Sequence, residues 1–191
     1  MAFVRSEIIE NRERGDIIIV PFNDEQLNNA SYNVKIGRDY YIQKSVAFFI
    51  NPFNKNHIAK MWSHVEAITG FITIKPNECV LCHTEEFIGS VRGSVPMLKS
   101  RSSIMRSCLS IAGGAGWGDV GYTSRWAFTI HNNGVNTVMI PVGSEVAQII
   151  FLKVESETES YDGSYQDFNV KHEEHRRNWH HSSILPKPTT S

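Results

Sequence analysis

Leu98-Lys-Ser-Arg-Ser-Ser-Ile-Met-Arg-Ser107 is the stretch from which the rest of this 191-residue chain is best interpreted. Twelve residues after its end comes Asp119, inside the glycine-rich run Ala112-Gly-Gly-Ala-Gly-Trp-Gly-Asp-Val-Gly-Tyr122. Two serines at the start of a helical turn, with arginines on either side, offer backbone N–H groups, hydroxyls and positive charge to a polyphosphate. The glycines let the backbone come close to a base or sugar, because no Cβ stands in the way. Together the two runs predict a nucleotide site.

Each run also has a plainer interpretation. Serine is a common N-cap, so Arg101-Ser-Ser-Ile-Met-Arg106 also fits a capped turn whose arginines are solvated. An aspartate in a glycine loop is most often a turn residue, because its side chain bonds its own backbone. In the functional interpretation, Asp119 orients a water for attack on phosphorus, and Tyr122 packs against a sugar that lacks the 2′-hydroxyl. Backbone groups of a hairpin over 113–118 would then read a pyrimidine edge as a pairing base does.

The bulk composition is that of one folded domain. Hydrophobic residues make up 41% of the chain and charged residues 20%, with a formal net charge of −1. Such a charge gives no global field for nucleic acid or an anionic membrane, so we expect neither as a partner. The N-terminus has no apolar leader and no run long enough to cross a bilayer, which predicts a cytoplasmic protein. We assign residues 1–170 to one domain and 171–191 to a polar C-terminal tail.

Short β-branched runs dominate the pattern of predicted elements. A short N-terminal helix is predicted after Ser6, and a second short helix over 57–69. Strands are predicted over 16–20, 31–36, 40–43, 70–74, 79–83, 125–131, 136–140 and 145–154. Many short strands separated by Asn, Gly and Pro turns predict an all-β barrel or sandwich.

Neither the cysteines nor the tail histidines predict a protein zinc site. Cys79 and Cys82 lie three residues apart on a predicted strand, so their thiols point to opposite faces. The His-x-Glu and Pro-Cys-x-x-Cys signature of the zinc deaminases is missing. The four histidines at 172, 175, 180 and 181 lie in the tail, where a solvated state is expected.

A series of motifs in fixed order resembles the dCTP deaminase branch of the trimeric dUTPase superfamily. The resemblance runs through nearly the whole chain, and the order and spacing of the motifs make it specific. The motifs are Ala30-Ser-Tyr-Asn-Val-Lys-Ile-Gly37, Pro76-Asn-Glu78, Thr84-Glu-Glu86, Lys99-Ser-Arg-Ser-Ser-Ile-Met-Arg106, 115–122, Asn132-Asn-Gly134, Gly143-Ser-Glu-Val-Ala-Gln148 and Tyr161-Asp-Gly-Ser-Tyr-Gln166.

The resemblance implies a distorted β-barrel and a homotrimer whose sites are shared between copies, with Mg²⁺ accompanying the triphosphate. Asp119 matches the aspartate that activates water in the diphosphatases, and Arg106 belongs to the serine and arginine phosphate cradle. Ala115 would sit against the base, and the segment after 160 would fold over the nucleotide. The implied nucleotide contacts are Arg101, Ser102, Ser103, Ala115, Tyr122, Gln148, Tyr161, Tyr165 and Gln166.

Thr129 is the main departure from that family. Deaminases of this branch carry a glutamate at this position as the proton shuttle. A threonine hydroxyl does not titrate near neutrality, and loss of such a group typically removes ~10²–10⁴ in rate. His131 lies on the same strand face but roughly 6.6 Å further along, which is far for an unaltered proton path.

Three further positions differ from the branch. Asn33 stands where the family usually has an aspartate. Trp117 stands where the deaminases carry an arginine, and Ser164 stands where a phosphate-binding lysine is common.

Three functions follow as expectations. The main expectation is a diphosphatase that converts dUTP or a related deoxynucleoside triphosphate to the monophosphate and pyrophosphate, with Asp119 positioning water. The first alternative is dCTP deamination, which the threonine at 129 disfavours. The second alternative is a catalytically silent trimer that binds nucleotide or serves as an assembly protein.

Overall fold

The computed structural model of the protein describes residues 1–111, 115–156, 158–166 and 171–187. The helices in these ranges are α1 (Arg5–Glu13), α2 (Lys55–Met61), α3 (Ser102–Arg106) and α4 (His172–Asn178), with 3-10 turns at Asp24–Gln26 and His181–Ile184. None of the described helices combines the length and the apolar character that crossing a bilayer requires.

The strands form three antiparallel sheets. They are β1 (Ile17–Val20), β2 (Tyr32–Lys35), β3 (Asp39–Gln43), β4 (Trp62–Glu66), β5 (Phe71–Ile74), β6 (Cys79–Ser90), β7 (Ser94–Ser100), β8 (Leu109–Ile111), β9 (Thr123–Asn132), β10 (Val138–Pro141) and β11 (Glu145–Lys153). One sheet has the order β4-β3-β6-β9-β8, with β1 also paired to β6. The second has the order β2-β11-β7, and β10 pairs with β5 in the third.

One hydrophobic core joins all three sheets. Strand β9 alternates in burial, so that Trp126, Phe128 and Ile130 face this core and the residues between them face outward. Tyr32 of β2 and Ile72 of β5 are fully buried in the same cluster. The alternation follows from the two-residue period of a strand and buries one face of each sheet. The predicted all-β fold of the distorted barrel type, with a short N-terminal helix, is confirmed.

Three strands, β4, β7 and β8, are absent from the sequence prediction, and β8 has only three residues. Residues 62–66 were predicted as part of a helix over 57–69, but α2 stops at Met61 and the next five residues pair with β3. Pro96 obscures β7, since proline cannot donate to a ladder. Pro96 is tolerated because β7 is an edge strand of its sheet. The carbonyl of Pro96 still accepts a hydrogen bond, from Gly118 N at 2.9 Å.

The C-terminal segment also differs from prediction. Residues 171–187 form α4 and a 3-10 turn, and they fold back onto the outer face of the largest sheet. Ile184 is buried there against Tyr41 and Leu81, with Trp179 packed beside them. Widely spaced apolar residues among many polar ones hide this docking face from any periodicity analysis. Residues 188–191 lie outside the described part of the chain.

Candidate functional site

A cavity of about 300 Å³ opens beside the glycine-rich run. It lies beside the N-terminal half of β9, and Ile184 of the C-terminal 3-10 turn forms one of its walls. Its walls are Ala115, Trp117, Gly118, Asp119, Tyr122, Trp126, Ala127, Tyr161, Tyr165 and Ile184. We call it the nucleotide cavity, because it gathers five residues that the resemblance assigns to nucleotide binding or catalysis. Of the predicted base-reading hairpin, residues 113 and 114 lie outside the described residues.

The loop over 115–122 is fixed against β7. Leu98 N donates to Gly116 O at 2.7 Å, and Trp117 forms a bridge with Met97. Gly118 packs against the side chain of Trp126, where a Cβ would collide. Gly121 has a φ of +92°, a conformation that L side chains rarely adopt. Packing therefore requires a glycine at position 118, and backbone conformation requires one at position 121. Neither requirement can be seen from the sequence motif alone.

Asp119 stands at the rim of the nucleotide cavity with its side chain exposed. Its carbonyl accepts a hydrogen bond from Tyr122 N at 3.1 Å, so the residue opens a tight turn. It also borders a second cavity of about 530 Å³, whose walls include Glu159 and Asp162. Carboxylate oxygens are ligands that Mg²⁺ prefers, so this acidic edge fits a magnesium ion that accompanies phosphates. The backbone of Asp119 thus forms a turn while its carboxylate stays exposed at the cavity rim.

The inner wall of the nucleotide cavity is aromatic. The Tyr122 ring lies edge-on to Trp126 at 5.4 Å and to Tyr161 at 5.1 Å between ring centroids. Burial raises the pKa of Tyr122 to about 12, and it also raises the pKa of Tyr161. Both phenols are therefore neutral near pH 7 and present apolar rings with hydroxyl donors. Such a surface suits a base or a sugar better than a phosphate.

Gln166 holds the segment over 158–166 in place. Its Oε1 accepts a hydrogen bond from Thr123 N at 2.8 Å, and its Nε2 donates to Gly121 O at 2.8 Å. Tyr161 N donates to Val120 O at 2.7 Å, which completes the attachment. Both ends of the amide are used by backbone groups, so within the described chain Gln166 positions the cavity wall rather than offering its amide to the cavity.

The predicted phosphate cradle does not line this cavity in the described chain. Ser102, Ser103 and Arg106 lie exposed on α3, which follows β7 in a different sheet. Arg101 forms an ion pair with Glu145. The structure thus separates the predicted site into two groups, one around Asp119 and one on α3.

The Arg101 ion pair also accounts for one departure from the family pattern. Asn33 Nδ2 donates to the same Glu145 carboxylate at 2.9 Å. Asn33 thereby supports a carboxylate rather than supplying one. Gln148, another predicted contact, accepts a hydrogen bond from the Ser31 hydroxyl at 3.1 Å.

Thr129 lies on the face of β9 that includes the cavity-lining Ala127, two residues away. It pairs with Leu81 across the sheet and is not among the described cavity walls. Burial raises the pKa of the Cys79 thiol, and a side-chain hydrogen bond with Thr129 opposes that shift. Cys82 points the other way, into the core, as strand parity predicted. The position of the family's glutamate is therefore held by a neutral hydroxyl with a thiol neighbour.

Comparison with known proteins places this site in a family context. The family described as dCTP deaminase-like matches residues 3–154. The chain is 33% identical to "dCTP deaminase, dUMP-forming" of Hathewaya histolytica over 83% of this chain and 88% of the relative. It is 33% identical to the protein of the same name from Clostridium acetobutylicum, over 80% of this chain and 83% of the relative.

A solved structure gives the same fold. The 2′-deoxycytidine 5′-triphosphate deaminase from Agrobacterium tumefaciens aligns with a TM-score of 0.63 at 14% identity. The alignment covers 80% of this chain and 48% of that longer chain. The fold likeness and the named relatives confirm the resemblance.

The relatives' names also correct the main functional expectation. A dUTP-type diphosphatase was the main expectation, with dCTP deamination as the alternative that Thr129 disfavoured, but the relatives are named "dCTP deaminase, dUMP-forming". That expectation was wrong because it weighed one strand position above the whole-chain likeness.

Proposed function

Because the chain belongs to the dCTP deaminase-like family, we propose that it converts dCTP to dUMP. The balanced reaction consumes two waters. One replaces the amino group of the base and releases ammonia, and the other cleaves between the α and β phosphates and releases pyrophosphate. The observation that carries the proposal is the cavity lined by Ala115, Asp119, Tyr122, Tyr161 and Tyr165.

The nucleoside end of the substrate occupies the aromatic part of the cavity. Ala115 has a small side chain, so the base can approach the backbone beside it. Tyr122 and Tyr161 supply neutral rings against the sugar, where a 2′-hydroxyl would need room and a partner. This arrangement favours a deoxynucleotide over a ribonucleotide.

The phosphates extend toward Asp119 and the acidic edge. Asp119 orients the water that attacks phosphorus, and its carboxylate accepts a hydrogen bond from that water. Mg²⁺, when bound with the phosphates, supplies charge neutralisation, for which Glu159 and Asp162 offer further oxygens.

The positive charge comes from a second copy of the chain. Arg106 and the serines of α3 do not reach the cavity of their own chain as described. In a homotrimer with shared sites, the α3 cradle of one copy meets the Asp119 group of the next. Closed rotational symmetry makes all three such sites equivalent.

Deamination is the slow part of this reaction, because Thr129 has no titratable group. Its hydroxyl can hold a water but cannot carry a proton between that water and the base. Replacing Thr129→Glu restores a carboxylate on the cavity face, and we expect ammonia release from dCTP to rise ~10²–10⁴-fold. Thr129→Gln is the matched control, because it has the same size without an ionisable group, and it should give no such increase.

The outcome that contradicts this assignment is equal ammonia release by the Glu and Gln variants. Both are compared with the natural chain by an ammonia assay with dCTP and Mg²⁺ under single-turnover conditions. Binding of dCTP, measured by calorimetry, shows whether either substitution has damaged the cavity.

The neutral side chain at Thr129 also favours a second candidate, a nucleotide-binding protein without turnover. It has the same cavity and the same contacts, but no chemical step. Tight calorimetric binding of dCTP with neither ammonia nor pyrophosphate released would select it over the enzyme.

A further inference from the structure

Three metal-ligating side chains meet on the outer face of the largest sheet, outside the nucleotide cavity. Asp39 opens β3, His64 lies in the neighbouring β4, and His181 begins the C-terminal 3-10 turn. His64 Nε2 lies 2.7 Å from an Asp39 carboxylate oxygen, and the His181 ring stacks on His64 with centroids 3.8 Å apart. One possible ligand atom from each residue lies within 4.8 Å of the other two.

Tyr41 prepares His181 for coordination. Its hydroxyl is hydrogen-bonded to His181 Nδ1 at 2.7 Å, which leaves Nε2 as the free ring nitrogen. Metal-bound histidines usually use one nitrogen for the metal and the other for such a bond.

The donor set selects the kind of ion. Two imidazoles and one carboxylate suit Zn²⁺, Co²⁺ or Ni²⁺, whereas Mg²⁺ prefers oxygen ligands and water. Nitrogen and oxygen ligands of a tetrahedral zinc lie roughly 3.3 Å apart, as follows from bonds of about 2 Å. The His64 and Asp39 ligand atoms, now 2.7 Å apart, would have to move slightly apart to reach this value. His64 has room for this movement, because its side chain is 36% exposed.

We propose that Asp39, His64 and His181 bind one divalent transition-metal ion of the zinc class. The ion replaces the proton held between His64 and Asp39, and it fixes the C-terminal segment to the β3–β4 pair. Ile184 ends the same 3-10 turn and forms a wall of the nucleotide cavity. Metal binding therefore holds that wall in place, while the binding itself does not depend on the proposed reaction.

The test uses the full chain without an affinity tag, stripped with a chelator and then titrated with ZnCl₂ in a calorimeter. We expect one ion per chain and a higher melting temperature. Asp39→Asn and His64→Ala should each weaken zinc binding about 10-fold or more. His57→Ala is the matched control, since this histidine lies on α2 outside the cluster. Co²⁺ should give visible absorption bands in the natural chain, and these bands should be lost in His64→Ala.

Limited trypsin digestion gives an independent readout. The exposed Arg176 and Arg177 lie in α4, immediately before the 3-10 turn. Zinc should slow cleavage at this point in the natural chain and leave the rate unchanged in Asp39→Asn, whose tail residues are intact. Equal zinc affinity in the natural chain, Asp39→Asn and His64→Ala would overturn the proposal, as would unchanged cleavage in saturating zinc.

Discussion

Replacement of Gln166 by alanine tests whether one buried amide holds the wall of the nucleotide cavity. The side chain accepts from Thr123 N and donates to Gly121 O, both at 2.8 Å, and the residue is 7% exposed. Alanine leaves one buried N–H and one buried carbonyl without partners. Each such loss costs ~1–3 kcal/mol, so the pair should cost about 2–6 kcal/mol.

This cost falls on the attachment of residues 158–166 rather than on the whole barrel. The segment is otherwise joined to the loop by Tyr161 N donating to Val120 O at 2.7 Å. A cost of 2 kcal/mol corresponds to about a 30-fold larger open population. Hydrogen exchange at the Tyr161 amide should therefore quicken by at least about 30-fold, while core amides of β9 change less.

Hydrogen exchange followed by mass spectrometry measures both regions at once. Gln43→Ala is the matched control, because Gln43 is exposed on β3 and lies outside the cavity. The Gln166→Ala variant should also bind dCTP more weakly, because two tyrosines of the wall lose their fixed positions. If the Tyr161 amide of this variant exchanged at the wild-type rate, Gln166 would not hold the segment in place. Its amide would then be free to contact nucleotide directly.

Two further predictions concern assembly and pH. If each site is shared between two copies, inactive Asp119→Asn and Arg106→Ala chains that are refolded together should recover about a quarter of the natural activity. Random mixing gives that share of sites with both natural residues. No recovery in a mixed trimer would place both residues in the site of a single chain. Burial lowers the pKa of His83 from its ordinary 6.5 to about 4, so the unfolded chain takes up a proton first as pH falls through this window. The free energy of unfolding should therefore fall by about 3 kcal/mol between pH 6.5 and pH 4 from this group alone. In urea unfolding, the His83→Gln variant should show a flatter dependence of this free energy on pH. A variant with the same pH dependence as the natural chain would contradict this role of His83.

Among the strands that the sequence predicted, β5 and β9 show the two-residue alternation most clearly in their burial. In β9, Trp126, Phe128 and Ile130 face the core, and their spacing at every second position is evident from the sequence itself. Strand β7 escaped prediction because Pro96 argues against a central strand, and only its edge position resolves that conflict. Local pattern thus predicts a strand but not its place in the sheet.

Some residues of the candidate site could likewise be predicted from the sequence, and others could not. The positions of Asp119 and Tyr122 followed from a motif over a few residues. The two hydrogen bonds of the Gln166 side chain, by contrast, join it to backbone groups of β9 and of the preceding turn, which are far away in sequence. The meeting of His64 with His181 depends on how the C-terminal segment docks, which is decided by the burial of Ile184. No local signal carries such long-range contacts.

The functional prediction failed for a related reason. Thr129 was correctly placed on the outward face of its strand, beside the cavity-lining Ala127. The missing proton carrier was then taken to disfavour deamination as a whole, although it bears only on the rate of one step.

The proposed conversion of dCTP to dUMP is tested most directly by the ratio of ammonia to pyrophosphate that the protein releases from dCTP. Purified protein is incubated with dCTP and Mg²⁺, and both products are quantified together with the nucleotide monophosphate by chromatography. We expect dUMP, with ammonia and pyrophosphate released in equal amounts. Pyrophosphate with dCMP and no ammonia, or no product from dCTP at all, would contradict it.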